Sequence, residues 1–169
     1  MLGEAAVRLQ NAGADFIVIC TNTMHKIAPQ IQKQIRIPVI HIADATADVL
    51  LASGCRTVAL LGTKYTMTQD FYKEKLIARD IKVLIPDRDE IETVNDVIYS
   101  ELCRGIISPA SRERYVDIIN DLKAKGAEGV ILGCTEIGLL IQQKDSPIPV
   151  FDTTEIHARK AALMAMDME

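Results

Sequence analysis

Tryptophan is absent from this 169-residue chain and phenylalanine occurs only three times, so there is little flat aromatic surface on which bases could stack. Positive charge is also short. No run of four consecutive Lys and Arg occurs, the net charge is −4 and the pI is about 5.4. Phosphate backbones find nothing to bind here, and nucleic acid is excluded as a partner. The four cysteines, at positions 20, 55, 103 and 134, form no C-x-x-C or other finger spacing, and the three histidines form no H-E-x-x-H, so no metal site is expected. Gly62-Thr63-Lys64 lacks the rest of a phosphate-loop frame, and no G-x-G-x-x-G occurs, which removes nucleotide cofactors. The longest apolar runs, near 16–20 and 129–134, are far too short to span a bilayer. Met1-Leu2-Gly3-Glu4 does not open a secretory leader. A cytoplasmic protein with reduced thiols and no membrane contact is expected.

What the chain does contain is a duplication. Gly13-Ala14-Asp15-Phe16-Ile17-Val18-Ile19-Cys20-Thr21-Asn22-Thr23 aligns with Gly126-Ala127-Glu128-Gly129-Val130-Ile131-Leu132-Gly133-Cys134-Thr135-Glu136. Each copy is a glycine turn, an acidic residue, an apolar strand-like run and a terminal polar cluster. Downstream, Ile37-Pro38-Val39-Ile40 answers Ile148-Pro149-Val150-Phe151. Such a repeat sets two polar clusters, centred on Thr21 and Cys134, at matching points of two half-molecules, an arrangement suited to chemistry on opposite faces of one small substrate.

With 49% apolar and 25% charged residues, the chain is a globular one of one large or two small domains. Its periodicities alternate. Strands are expected at 15–20, 37–42, 57–62, 81–86, 129–134 and 148–152. Helices are expected at 2–12, 23–35, 44–54, 67–79, 90–104, 109–125, 136–143 and from 154 onward. Ser108-Pro109 makes a good helix start, with Tyr115, Ile118, Ile119 and Leu122 on one face. The strands are rich in Val, Ile and Leu without alternation, as in a parallel sheet covered by helices on both sides. The fold class is therefore α/β, and ligands are expected beyond the carboxyl ends of the strands. Thr21–Thr23, Thr63, Cys134–Glu136 and Asp152–Thr154 fall there, although such residues are also ordinary helix caps.

Residues 57–152 supply four strands, but residues 1–54 supply only two, fewer than an independent sheet usually needs. A first lobe over 1–44, incomplete and joined by the helix 154–169, and a second lobe over 45–153 are expected. Either the first lobe lacks N-terminal elements or a partner chain completes its sheet.

Cys20-Thr21-Asn22-Thr23-Met24-His25 and Gly133-Cys134-Thr135-Glu136-Ile137 resemble the two signatures of the aspartate/glutamate racemase family. Val58–Met67 also resembles the start of that family's second lobe, and the similarity runs from Gly13 to about His157. Thr21-Asn22-Thr23 is similar to the subgroup of bacterial racemases acting on L-aspartate and L-glutamate. The resemblance implies a two-lobed, pseudo-symmetric fold with an interlobe active site, no cofactor, and a homodimer. It also implies proton removal from one face of Cα and return on the other. Cys134 matches one of the family's two cysteines, and Thr21 stands where the other would be. Asn22, Thr23 and Thr135 match positions that hold the substrate carboxylate, Thr63 is expected to line the same pocket, and Glu136 matches a residue assisting proton transfer.

At a strand end before a helix, Cys134 is expected to have a lowered pKa and to act as a thiolate base. Thr21 is a far poorer base. Cys20, one residue back along a strand, is expected to face the core, as are Cys55 and Cys103. His25 is expected to line the cleft, or to lie at the surface or in a cap. His41 is expected near the rim, and His157 in the last helix. Two other readings compete: a decarboxylase or isomerase of small dicarboxylates in the same superfamily, and a truncated, non-catalytic protein that at most binds a ligand or partner.

Overall fold

The computed structural model describes residues 1–166, so 167–169, expected in the last helix, lie outside the described residues. In chain order the elements are α1 (Leu2–Asn11), β1 (Ile17–Val18), a 3-10 turn (Thr23–Ile27), α2 (Ala28–Gln32), β2 (Val39–Ile40), α3 (Ile42–Ala52) and β3 (Thr57–Gly62). Then follow α4 (Lys64–Thr68), α5 (Asp70–Ile77), β4 (Lys82–Leu84), α6 (Arg88–Ser100), α7 (Pro109–Ala124), β5 (Gly129–Gly133), α8 (Ile137–Leu140), β6 (Val150–Asp152) and α9 (Thr153–Ala165). All strand pairings are parallel: β1 with β2, and a second sheet in the order β4-β3-β5-β6. The α/β expectation is met.

The duplication in the sequence is a duplication in space. Ile17 pairs with Val39 and Val18 with Ile40; at the equivalent positions Val130 pairs with Val150 and Ile131 with Phe151. Gly13 and Gly126 hold φ of +92° and +101°, the left-handed conformation that ends α1 and α7 and turns the chain into the following strand. A further matched pair, with no periodic signal in the sequence, is Gln32 and Gln143. Gln32 accepts from the Val39 N–H at 2.9 Å and donates to the Ile37 carbonyl at 3.0 Å. Gln143 accepts from Val150 at 2.9 Å and donates to Ile148 at 3.2 Å. In each half a glutamine bridges the prolyl bend that starts the strand.

The second sheet is buried on both faces, which explains the missing alternation. Val58 and Leu60 of β3 and Ile131 of β5 face α3 and α5, where Leu50, Tyr72 and Leu76 are fully buried. Ala59, Leu61, Val130 and Leu132 point the other way, onto Val94, Ile98, Tyr115 and Ile119 of α6 and α7. A smaller core of Ala6, Ile17, Ile19, Ala28 and Ile31 holds the first sheet. Ser108 caps α7 as expected, its hydroxyl accepting from the Ser111 N–H.

Four helices differ from expectation. The stretch 136–143 shrinks to α8, because Ile141 is extended (φ −113°, ψ 124°), and a 3-10 turn over Gln143–Asp145 follows. The stretch 67–79 is two helices, because Gln69 is extended (φ −84°, ψ 156°). The stretch 23–35 opens as a 3-10 turn before α2. That over 90–104 stops at Ser100, and a 3-10 turn over Leu102–Arg104 follows, closed by left-handed Gly105 (φ 74°).

Candidate active site

The loops after β1, β3 and β5 meet at one cleft of about 440 Å³. Thr21, Asn22, Thr23, Thr63, Cys134, Thr135 and Glu136 all line it, so both polar clusters of the repeat open onto a single space. The approach is close because the strands behind it are close. A Cβ on Gly62 would lie 2.8 Å from the Gly133 carbonyl, and one on Gly133 would lie 2.9 Å from the Leu61 carbonyl. Any side chain there would part β3 from β5 and shift Thr63 and Cys134.

Thr23 Oγ1 lies 3.2 Å from Thr63 Oγ1, which lies 3.1 Å from Thr66 Oγ1. Thr63 also caps α4. Thr21 sits in a tight turn, its N–H donating to the Ile19 carbonyl at 2.8 Å. His25, expected at the cleft or the surface, is buried behind that turn (1% exposed). Its Nε2 accepts from the Ile42 N–H at 3.1 Å, so Nδ1 must carry the proton that it donates to the Thr21 carbonyl at 2.8 Å. Both bonds require the neutral ring. His41 caps α3 through Nδ1, and His157 Nε2 donates to the Ile40 carbonyl at 2.8 Å. The His25 ring lies 4.6 Å from that of His41 and 5.5 Å from that of His157. Burial lowers the pKa of all three; His41, with His25 beside it, is lowered to about 4.

The Cys134 thiol donates to Glu136 Oε2 at 3.0 Å, and Thr135 Oγ1 donates to the same oxygen at 2.7 Å. Cys134 is 7% exposed. Burial, followed by the bond to Glu136, pushes its thiol up to about 12. The expected thiolate is therefore corrected: α8 has only four residues, and desolvation outweighs whatever its first turn offers. The resting pair is a thiol and a carboxylate. Burial works to raise the Glu136 pKa, but hydrogen bonds from Cys134, Thr135 and its own amide hold it below the usual carboxylate range.

Two further cysteines line the cleft, against the core positions expected of them. Cys20 and Cys103 are exposed, whereas Cys55 is buried as expected. The strand argument for Cys20 fails because β1 ends at Val18; side chains in a turn do not alternate between faces. At 103, Leu102 takes the buried place in the 3-10 turn and its neighbour is turned outward. Tyr65 and Tyr99 also border the cleft and carried no sequence signal.

A larger groove of about 570 Å³ runs between α3 and α9, but its lining holds neither thiol, hydroxyl nor imidazole. Among the described residues no group of three or more His, Cys, Asp or Glu could hold a metal ion, and no helix is long and apolar enough to cross a membrane.

Known proteins share this fold. The family model for Asp/Glu/Hydantoin racemase matches residues 1–161. A Yersinia pestis protein described as a candidate Asp/Glu racemase superposes with a TM-score of 0.93 at 50% identity, over 98% of this chain and 72% of that one. An aspartate racemase homologue from Pyrococcus horikoshii OT3 gives 0.89 at 41%, over 98% and 73%. The broad specificity amino-acid racemase RacX of Bacillus subtilis is 25% identical over 159 residues, 92% of this chain and 67% of RacX. The chain belongs to the Asp/Glu/Hydantoin racemase family, a family of isomerases.

Proposed function

We propose that the protein racemises acidic amino acids, aspartate and glutamate, without a cofactor, by removing the Cα proton from one face and returning a proton to the other. The observation that carries this reading is the opening of the Thr21–Thr23 and Cys134–Glu136 clusters onto one cleft from equivalent strand ends. Cys134 and Thr21 flank Cα in this reading. Thr23, Thr63 and Thr135 offer hydroxyls to the substrate.

Carbon acids hold their protons tightly, so the base must be a thiolate rather than the resting thiol. Glu136 supplies the route: it accepts the Cys134 proton along the existing hydrogen bond, and the thiolate takes the proton from Cα. The carbanion is then protonated on its opposite face through the Thr21 hydroxyl, which relays a proton from solvent and stays neutral, while the proton held by Glu136 passes back to solvent. In the reverse sense the Cys134 thiol is already charged with the proton it must deliver. Residues 1–44 with the C-terminal helix form one lobe in this reading and residues 45–153 the other, an assignment supported by the bond from His157 of α9 to Ile40 of β2.

Chiral chromatography of L-aspartate and L-glutamate incubated with the protein tests the proposal, with Cys134→Ser as control. Appearance of the D-enantiomer, lost in the variant, is the expected result. Turnover of malonate or maleate derivatives in place of racemisation would sink it.

A further inference from the structure

Asn22 carries an orphaned atom. Its side chain is 3% exposed, and its Nδ2 donates to Thr153 Oγ1 at 3.1 Å. Its Oδ1 is shielded from solvent and has no hydrogen-bond partner among the described residues. A buried acceptor left unpaired is costly and calls for an explanation. The amide has not been turned to relieve it, and the reason is Thr153. That threonine, the first residue of α9 and fully buried, donates its single hydroxyl proton to the Leu132 carbonyl at 2.7 Å. Only its lone pairs remain to face Asn22, so it can meet the NH2 end of the amide and not the oxygen.

From this we infer that Thr153 is a positioning residue, which orients the Asn22 amide so that its Oδ1 receives the α-ammonium group of a bound amino acid. The inference rests on the reading of the cleft as an amino-acid site. Asn22 lines that cleft, and an acidic amino acid presents one class of donor there. Its carboxylates only accept, so they cannot satisfy Oδ1; the ammonium can. The carboxylates fall instead to the hydroxyls of Thr23, Thr63 and Thr135. Leu132 lies two residues before Cys134 on β5, so the chain of bonds from Asn22 through Thr153 to Leu132 ties the ammonium subsite of one lobe to the strand that carries the thiol of the other. The position is peculiar to the second half of the repeat: the residue equivalent to Thr153 in the first half is Ile42, which has no hydroxyl.

The test compares ligands that differ only in the ammonium: aspartate against succinate, and glutamate against glutarate. Dissociation constants are measured by calorimetry on the wild type and on Thr153→Val and Thr153→Ser. In the wild type the amino acid binds more tightly than its desamino partner. In Thr153→Val that preference falls by about tenfold or more, the worth of one charge-assisted hydrogen bond, while Thr153→Ser keeps it. A Thr153→Val protein that weakens both ligands equally overturns the assignment, because a structural defect alone would not discriminate between them. Should Thr153→Val fail to fold, the same ratio is read in Asn22→Ala, which removes the acceptor and leaves the Thr153–Leu132 bond in place; an unchanged ratio there also overturns it. A wild type that racemises aspartate while the variants keep its ligand preference sinks the role of Thr153 alone. One that neither binds nor racemises aspartate or glutamate sinks the underlying reading with it.

Discussion

The Cys134 thiol and the Glu136 carboxylate share one proton along a 3.0 Å hydrogen bond. The thiol is pushed up to about 12 and the carboxylate is held low, so the proton rests on sulfur and its acceptor is already in place. Glu136→Gln keeps the shape and removes the acceptor. Racemisation is expected to fall about 10²–10⁴-fold in kcat, the usual worth of a positioned proton acceptor. A variant that altered KM alone would show that the carboxylate binds substrate rather than moving the proton.

The three cleft cysteines should differ in reactivity although they share one space. Alkylation needs a thiolate and access. Cys20 and Cys103 are exposed, whereas Cys134 is buried and protonated. Iodoacetamide at neutral pH, followed by peptide mass mapping, is expected to modify Cys20 and Cys103 well before Cys134. Prior labelling of Cys134 would contradict the resting thiol.

Much of this could be read from the sequence, and the limits have physical causes. The strand pairs were legible because Gly13–Thr23 recurs as Gly126–Glu136 and Ile37-Pro38-Val39 as Ile148-Pro149-Val150, and each half pairs its two strands in parallel at the matching residues. The cleft residues Thr21, Thr63 and Cys134 were legible because strand ends are where side chains leave a parallel sheet. Cys20 was misplaced because periodicity assumes a regular strand, and β1 lasts only two residues. The Cys134 ionisation was misjudged because burial is a property of the whole fold, whereas a helix start is visible locally. His25 and Thr153 act through partners 17 and 131 residues away, separations at which single-sequence spacing carries no information.

Thr21 and Cys134 are chemically unequal, and the reaction should show it. A hydroxyl holds its proton throughout the physiological range, while a thiol can be deprotonated by its carboxylate neighbour. In deuterated water, Cα exchange followed by NMR is expected to run faster from the enantiomer whose hydrogen faces Cys134. Equal rates from both enantiomers would count against the proposed roles. Thr21→Ser should retain racemisation, and Thr21→Val should lose it while keeping exchange of the hydrogen that faces Cys134.

Acid should loosen the rim behind Thr21. His25, His41 and His157 all have folded-state pKa values below the ordinary 6.5. The fold prefers their neutral forms. That contribution is complete above pH 6.5 and is lost as pH falls toward about 4, the value reached by His41. Around His41 the charges of Asp44 and Lys75 oppose one another, and they do not reverse the sign set by burial. The melting temperature is expected to drop through this window. His41→Asn keeps an N-cap acceptor for Ala43 without a titrating ring, so its drop should be shallower; an identical profile would place the acid sensitivity elsewhere.

The paired glutamines offer a test of how independent the two halves are. Gln32 and Gln143 each make two bonds to backbone groups at the start of β2 and β6. Both lie near solvent, where water replaces part of what is lost, so alanine at either site should cost about 1 kcal/mol per bond at most. The two sites share no partner, and Gln32→Ala with Gln143→Ala should be additive to within about 0.5 kcal/mol in urea titrations. A larger coupling would mean that loosening one strand start is felt at the other. The route for such coupling is already visible, since α9 begins at the end of β6 and its His157 holds the Ile40 carbonyl of β2. Repeating the cycle in a His157→Phe background should abolish any coupling found.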